Sequence, residues 1–279
     1  MNGSTKEITT AEVTPGVHIP FIGLGTWPLT GEDAAAAVHQ AIGNGYRHID
    51  TAENYANEAA VGEGIRRSGI ERGDLFLTTK FNTAWHSRTG VREALGRAVE
   101  RLGTDYLNLF LVHWPNPKQG RFVEACEGLQ DLVNEGSIRA WGVSNFKPAH
   151  LRLVQDGGLA VPLNQVQVDP EHGQPAQLAY HREYGIVTAA YSPLGRNGSF
   201  LSHPAISGPA RKLGKTPAQI ILRWHVQHSR VAVPKSADNQ RQRENLDIFG
   251  FALTQQQMAA IDALETGAPP RLDSDTYFH

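Results

Sequence analysis

The chain has 279 residues, a formal net charge of −2, and Lys and Arg scattered along its length. That balance excludes the basic footprint of a nucleic-acid binder and the polybasic anchor of a membrane-surface protein. No apolar run approaches the roughly 20 residues that span a bilayer, and the polar start MNGSTKEITTAEV lacks the apolar region of a secretory signal.

With a single cysteine, Cys126, no intrachain disulfide can form. Cys126 falls in a helix-like stretch, EACEGLQDLV, where a buried small hydrophobe is the natural reading. A soluble, cytoplasmic protein is expected. The length fits one α/β barrel domain over residues 1–279, since no linker, repeat or composition shift interrupts it.

In chain order, residues 6–20 come first. They hold Pro15-Gly16 between VT and VHI, which predicts a β-hairpin, placed to cap the N-terminal mouth of whatever follows. Short β-branched runs then alternate with amphipathic stretches. The predicted strands are 21–26, 46–50, 75–80, 106–113, 138–145, 163–168, 186–192 and 231–234. Predicted helices lie between them, among them 32–45, 58–69, 91–103, 121–136 and 216–229. Four of these end at a glycine (Gly45, Gly69, Gly103 and Gly136), the usual left-handed residue past a helix. Thr216-Pro217 reads as an N-cap followed by proline at the first helical position. The segment LGRNGSFLSHPAISG (194–208) is Gly-rich and reads as a mobile loop, and an extra helix is predicted over 253–265.

Eight strands alternating with helices imply a parallel sheet, and eight is the number that closes into a (β/α)₈ TIM barrel. The expected fold is therefore α/β: that barrel, with an N-terminal β-hairpin and an extra C-terminal helix.

Polar residues collect where these strands end. Asp50 ends the second strand, Lys80 the third and His113 the fourth; Ser144 and Asn145 end the fifth. Gln165 lies in the sixth, Tyr191 and Ser192 end the seventh, and Lys235 follows the eighth. Taken singly, an Asp there is often a helix cap, a Lys is solvated and a His is structural. Three in succession at the C-terminal mouth of a barrel, where barrel enzymes carry their chemistry, point to function. No G-x-G-x-x-G turn, phosphate-binding G-x-x-x-x-G-K-[ST] loop, H-x-H pair or H-E-x-x-H motif is present. A Rossmann site and a metal-dependent hydrolase are therefore disfavoured, and no metal is expected.

Four stretches carry a resemblance. GYRHIDTAENYANEAAVGEGI (45–65), LFLVHWP (109–115), GVSNF (142–146) and VPKSADNQRQRENLDIF (233–249) are similar, in order, to the signatures of the aldo-keto reductase family. The likeness runs from GLGTW (23–27) to the 253–265 helix, and the compact length resembles the bacterial branch that includes 2,5-diketo-gluconate reductases. It implies Asp50, Tyr55, Lys80 and His113 as the catalytic four, with Tyr55 as proton donor to a carbonyl. A tyrosine pKa near 10 is high for this work, so the Lys80 ammonium is expected to lower it.

The resemblance also implies NADPH as cofactor. Ser144, Asn145 and Gln165 would hold the carboxamide, with Thr26 in the same set. Tyr191 would stack on the nicotinamide, and Ser192 and Leu194 would begin the loop over the pyrophosphate. Lys235, Ser236 and Arg241 would take the 2′-phosphate, and Glu244 and Asn245 the adenine. Two cations and a hydroxyl around one phosphate favour NADPH over NADH.

Trp27, Trp85 and Trp114 are expected to wall the substrate pocket for small carbonyl compounds: aldehydes, ketones and α-dicarbonyls. The tail from Arg271 is expected to fold over the mouth, and the protein to be a monomer. Departures from the family pattern are Ala56 where glycine is usual, Phe81-Asn82-Thr83 after the lysine with Trp85 and His86 displaced, and Asp169-Pro170. Two other readings are a cofactor-binding regulatory barrel with little turnover, and an isomerase or lyase using Lys80 as a Schiff base. The complete catalytic set speaks against the first and the 2′-phosphate cluster against the second.

Overall fold

The structure, a computed structural model, describes residues 9–196 and 198–277. The Pro15-Gly16 turn joins β1 (Thr10–Thr14) and β2 (Val17–Pro20) as an antiparallel pair; residues 6–8 of the expected hairpin lie outside the described residues. Val13 and Ile19 point inward from the pair and pack with Phe76, Leu109 and Leu163 inside the barrel. The hairpin is thus a plug for one end, fixed by burial of its own apolar side chains.

After the plug come β3 (Leu24–Gly25), α1 (Gly31–Gly43), β4 (His48–Asp50), α2 (Glu58–Ser68), β5 (Phe76–Phe81), α3 (Arg88–Leu102), β6 (Leu107–Val112) and α4 (Phe122–Asn134). They are followed by β7 (Ile138–Ser144), α5 (Pro148–Asp156), β8 (Leu163–Gln167), α6 (Pro175–Glu183), β9 (Val187–Tyr191), α7 (Pro204–Leu213), α8 (Pro217–Gln227), β10 (Val231–Val233), α9 (Asn239–Leu246) and α10 (Gln255–Asp262). Strands β3 to β10 form one sheet in sequence order, each parallel to the next.

All eight expected barrel strands are present, the first shortened to two residues. Closure comes from backbone bonds between that strand and β10: Gly23 N–H donates to the Ala232 carbonyl at 3.0 Å and Gly25 N–H to that of Pro234 at 3.1 Å. A side chain at Gly25 would bring its Cβ within 2.7 Å of the Val233 carbonyl oxygen, so only glycine lets the seam close here. The helices pack outside through Val38, Ala41, Val91, Leu95, Leu129 and Leu151, which form the larger core with the outward faces of the strands. The Thr216 cap is built as predicted: its hydroxyl accepts from Gln219 N–H, and the Gln219 side chain accepts from Thr216 N–H at 2.9 Å.

Part of the Gly-rich segment 194–208 is in regular structure. It carries a 3₁₀ turn at Ser199–Ser202 and opens α7, with Phe200 buried. Gly198 lets the chain lie against that ring, because a Cβ there would sit 2.3 Å from it. The predicted C-terminal helix is α10, and no helix among the described residues is long and apolar enough to cross a membrane.

Candidate active site

The C-terminal ends of β4 and β5 bring Asp50 and Lys80 together. Both are buried, with Lys80 Nζ 2.6 Å from Asp50 Oδ1 and 2.9 Å from the Thr51 carbonyl oxygen. Each ion removes part of the other's desolvation cost, and the extra carbonyl helps satisfy the ammonium. Burial works against the Lys80 charge, but Asp50 and Tyr55 more than offset it and hold its pKa above the ordinary lysine value.

Tyr55 ends a 3₁₀ turn, Glu53–Tyr55, in the loop after β4. Its ring lies 5.2 Å from Lys80 Nζ and meets the His113 ring edge-on at 5.8 Å. One expectation is corrected. Burial pushes the Tyr55 hydroxyl above its ordinary pKa, and the Lys80 ammonium opposes this only in part, with Asp50 adding to the rise. The phenol is therefore firmly protonated at neutral pH. Lys80 limits the penalty on the phenolate without producing a net lowering.

The turn that carries Tyr55 is braced from several sides. The Glu53 carboxylate accepts from Asn82 N–H at 3.0 Å and from the Trp85 indole N–H at 3.0 and 3.1 Å. Asn57 accepts from the Thr51 hydroxyl at 2.7 Å and donates to the Leu29 carbonyl at 2.8 Å. Trp85, expected in the substrate pocket, is thus engaged with Glu53, and the Arg97 guanidinium covers its ring at 4.8 Å. This displaced tryptophan clamps the turn that holds the tyrosine. Ala56, next in the chain, takes φ 51° and ψ 30°, a left-handed conformation that glycine adopts at lower cost.

The expected carboxamide-holding residues form one connected network. Ser144 donates to the Gln165 carbonyl at 2.9 Å; Asn145 donates to the His113 carbonyl and to Ser144 Oγ, both at 3.0 Å, and accepts from the Tyr191 hydroxyl at 2.9 Å. Gln165 Nε2 donates to Asp50 Oδ2 at 2.7 Å, joining this network to the ion pair. Thr26 donates its hydroxyl to the Asp50 carbonyl at 3.1 Å. Ser192 sits at φ 48°, beginning a turn closed by Gly195 N–H on its carbonyl at 2.9 Å, with Leu194 half-buried inside it.

Past β10, Lys235 and Arg241 are exposed, and neither has an ion pair among the described residues. The Ser236 hydroxyl is engaged in the turn before α9, accepting from Asp238 N–H at 3.1 Å. Glu244 is half-buried and accepts from Gln240 at 2.9 Å, while Asn245 is buried. Two cations without an ion pair among the described residues, one before α9 and one in its first turn, suit a phosphate, and the hydroxyl and amides of Ser144, Asn145 and Gln165 suit a carboxamide. These donor sets fit a phosphorylated dinucleotide along the mouth.

Trp27 is 45% exposed, with the Arg196 guanidinium 4.4 Å above its ring. Trp114 is buried, and Tyr277 of the tail packs on it at 4.7 Å. The tail does fold back to the mouth. Arg271 N–H donates to Gln167 Oε1 at 3.0 Å, and its guanidinium to the Gly195 carbonyl at 2.8 Å. Lys147 pairs with Asp273 and Asp275, and His150 Nε2 lies 3.0 Å from Asp275 Oδ1. Residues 278–279 of the tail lie outside the described residues. Cys126 is fully buried, and burial pushes its thiol far above the ordinary range, which removes it as a nucleophile. Among the described residues no cluster of His, Cys, Asp and Glu could hold a metal ion.

Sequence and structure comparisons place the chain among known proteins. The profile described as the Aldo/keto reductase family matches residues 21–266. The 2,5-diketo-D-gluconic acid reductase B of a Corynebacterium species is 41% identical over 97% of this chain and 98% of its own length. The crystal structure of an aldo/keto reductase from Brucella melitensis superposes with a TM-score of 0.88 at 40% identity, over 92% of this chain and all of that one. A Bombyx mori aldo-keto reductase solved in complex with NADP gives 0.87 at 33% identity, over 93% and 94% of the two chains.

Proposed function

This chain belongs to the aldo/keto reductase family of oxidoreductases, and on that premise we propose that it reduces aldehydes, ketones and α-dicarbonyls to alcohols with NADPH, Tyr55 serving as the general acid. The observation that carries this reading is the buried Lys80–Asp50 pair at 2.6 Å beside the Tyr55 ring. A buried, neutralised lysine held against a protonated phenol is an arrangement for giving up one proton and stabilising what remains.

Bound NADPH supplies the hydride. Ser144, Asn145 and Gln165 hold its carboxamide and Tyr191 its nicotinamide ring, with Thr26 alongside. Ser192 and Leu194 begin the turn over the pyrophosphate, Lys235, Ser236 and Arg241 take the 2′-phosphate, and Glu244 and Asn245 meet the adenine. Gln165 has its amide N–H₂ committed to Asp50, which leaves its carbonyl oxygen to accept a carboxamide N–H.

Tyr55 delivers its proton to the carbonyl oxygen as negative charge develops there. The Lys80 ammonium stabilises the phenolate that is left, and Asp50 with the Thr51 carbonyl keeps that ammonium fixed so no reorganisation is needed at the moment of transfer. His113, edge-on to Tyr55, hydrogen-bonds the carbonyl oxygen and sets its approach. Trp27 and Trp114 provide apolar wall around the polar end, which suits a compact carbonyl compound. The same proposal includes a cytoplasmic monomer.

The test is NADPH consumption, followed by absorbance, with methylglyoxal and a panel of benzaldehydes. Turnover with several of these, and much less with NADH, is expected. Absence of turnover with every carbonyl, although NADPH binds, would overturn the reading.

A further inference from the structure

A cavity of about 340 Å³ opens among α6, α8 and α10, and none of the catalytic or cofactor-site candidates named above lines it. Its wall contains Arg230, the residue immediately before β10, which is only 5% exposed. The Arg230 guanidinium stacks on the Trp224 ring at 4.0 Å. Its Nε and Nη2 have no hydrogen-bond partner, and it has no ion pair among the described residues. Burial brings its pKa down to about 9, with Asp262 opposing and Arg182 adding to the fall. An unpaired buried cation is costly, and buried polar groups in folded proteins are as a rule satisfied.

The rest of the wall is charged in a pattern. Arg182 supplies a second cation. Asp262 and Glu265 supply two carboxylates. Asp262 Oδ1 already accepts from the Trp224 indole N–H at 2.7 Å and from His228 at 2.9 Å. Glu265 Oε2 is buried and has no donor among the described residues. The cavity therefore presents an acceptor-seeking cation and a donor-seeking carboxylate, over an apolar floor that includes Leu178 and Trp224. A simple anion satisfies Arg230 and leaves Glu265 unsatisfied, against repulsion from two carboxylates. A simple cation does the reverse. A ligand with both charges satisfies both.

We propose that this cavity binds a small zwitterion of the α-amino-acid class, its carboxylate on Arg230 and Arg182, its ammonium on Glu265, and an apolar side chain on Leu178. The site is separate from the reductase chemistry and stands whether or not the catalytic proposal holds.

The experiment is calorimetric titration of the full-length protein with L-leucine, and with acetate and methylammonium as half-ligands. The Trp224 indole N–H resonance reports whether binding is local. L-Leucine is expected to bind and shift that resonance, each half-ligand at least about tenfold more weakly. Arg230→Met and Glu265→Gln are each expected to weaken L-leucine by about tenfold or more while retaining the fold and NADPH-dependent turnover. Arg230→Met keeps an apolar side chain on Trp224 and is expected to be at least as heat-stable as wild type. No L-leucine binding, unchanged affinity in either variant, or acetate binding as tight as L-leucine would each overturn the proposal.

Discussion

Gln165 donates from Nε2 to Asp50 Oδ2 at 2.7 Å, so the amide expected to read the cofactor's carboxamide also orients the carboxylate that neutralises Lys80. In the proposed reading, one side chain links cofactor binding to the proton donor's support. A hydrogen bond to a charged group contributes about 1.5–3 kcal/mol. Gln165→Met is therefore predicted to lower kcat by roughly tenfold or more and also to weaken NADPH. Steady-state kinetics with a separate NADPH titration check this. A weakened NADPH affinity with unchanged kcat would show that Asp50 does not depend on the amide.

Ala56 stores backbone strain beside the catalytic turn. At φ 51° a non-glycine residue carries about 1 kcal/mol. Ala56→Gly is predicted to raise stability by about 1 kcal/mol, a Tm gain of roughly 2 °C for a chain of this size, with kcat little changed. Thermal unfolding measures it. A drop in Tm would mean that glycine's greater unfolded-state entropy outweighs the relieved strain.

The barrel was legible because each strand is a short apolar run between helix signals, and because closure follows from counting eight. Of the four helices the pattern did not name, α5, α6, α7 and α9, the first three carry a signal that was available. Each begins with a proline, Pro148, Pro175 or Pro204, as α8 does at Pro217, which was read correctly. Their apolar periodicity is short, so the proline was the better guide. At the site, strand ends placed Asp50, Lys80 and His113, but nothing in the pattern distinguished Tyr55; only family likeness did. Trp85 could not be read from sequence because its partner, Glu53, lies 32 residues away and is brought near by the adjacent ends of β4 and β5. The net direction of the Tyr55 shift was equally hidden, since it depends on burial set by the whole mouth.

In the proposed reading, cofactor choice rests on Lys235 and Arg241, both exposed. Arg241→Ala is predicted to weaken NADPH by about tenfold, as loss of one charge-assisted contact implies, and to leave NADH nearly unaffected. Fluorescence titration with both cofactors decides it. Equal losses for the two would remove Arg241 from the 2′-phosphate site.

His86 is buried, neither ring nitrogen has a hydrogen-bond partner among the described residues, and burial lowers its pKa to about 4. The unfolded chain takes up this proton below about pH 6.5, whereas the folded chain resists until about pH 4. The neutral ring's contribution is thus fully present above pH 6.5 and is lost as pH falls toward 4, amounting to about 3 kcal/mol. His86→Phe is predicted to flatten the loss of stability in that window. It would not abolish it, because His48 and His181 are also held to about 4. Denaturant titrations at a series of pH values test this. An unchanged slope would show that His86 titrates normally in the fold.

The most direct test of the catalytic account is Tyr55→Phe, assayed for single-turnover NADPH oxidation with methylglyoxal at saturating cofactor. The substitution removes one hydroxyl and keeps the ring beside Lys80 and His113. The predicted result is a fall of at least about 10²-fold in the rate of the chemical step, the contribution of a positioned general acid, with NADPH affinity retained. A variant that reduces methylglyoxal at the wild-type rate would contradict the role of Tyr55 as proton donor.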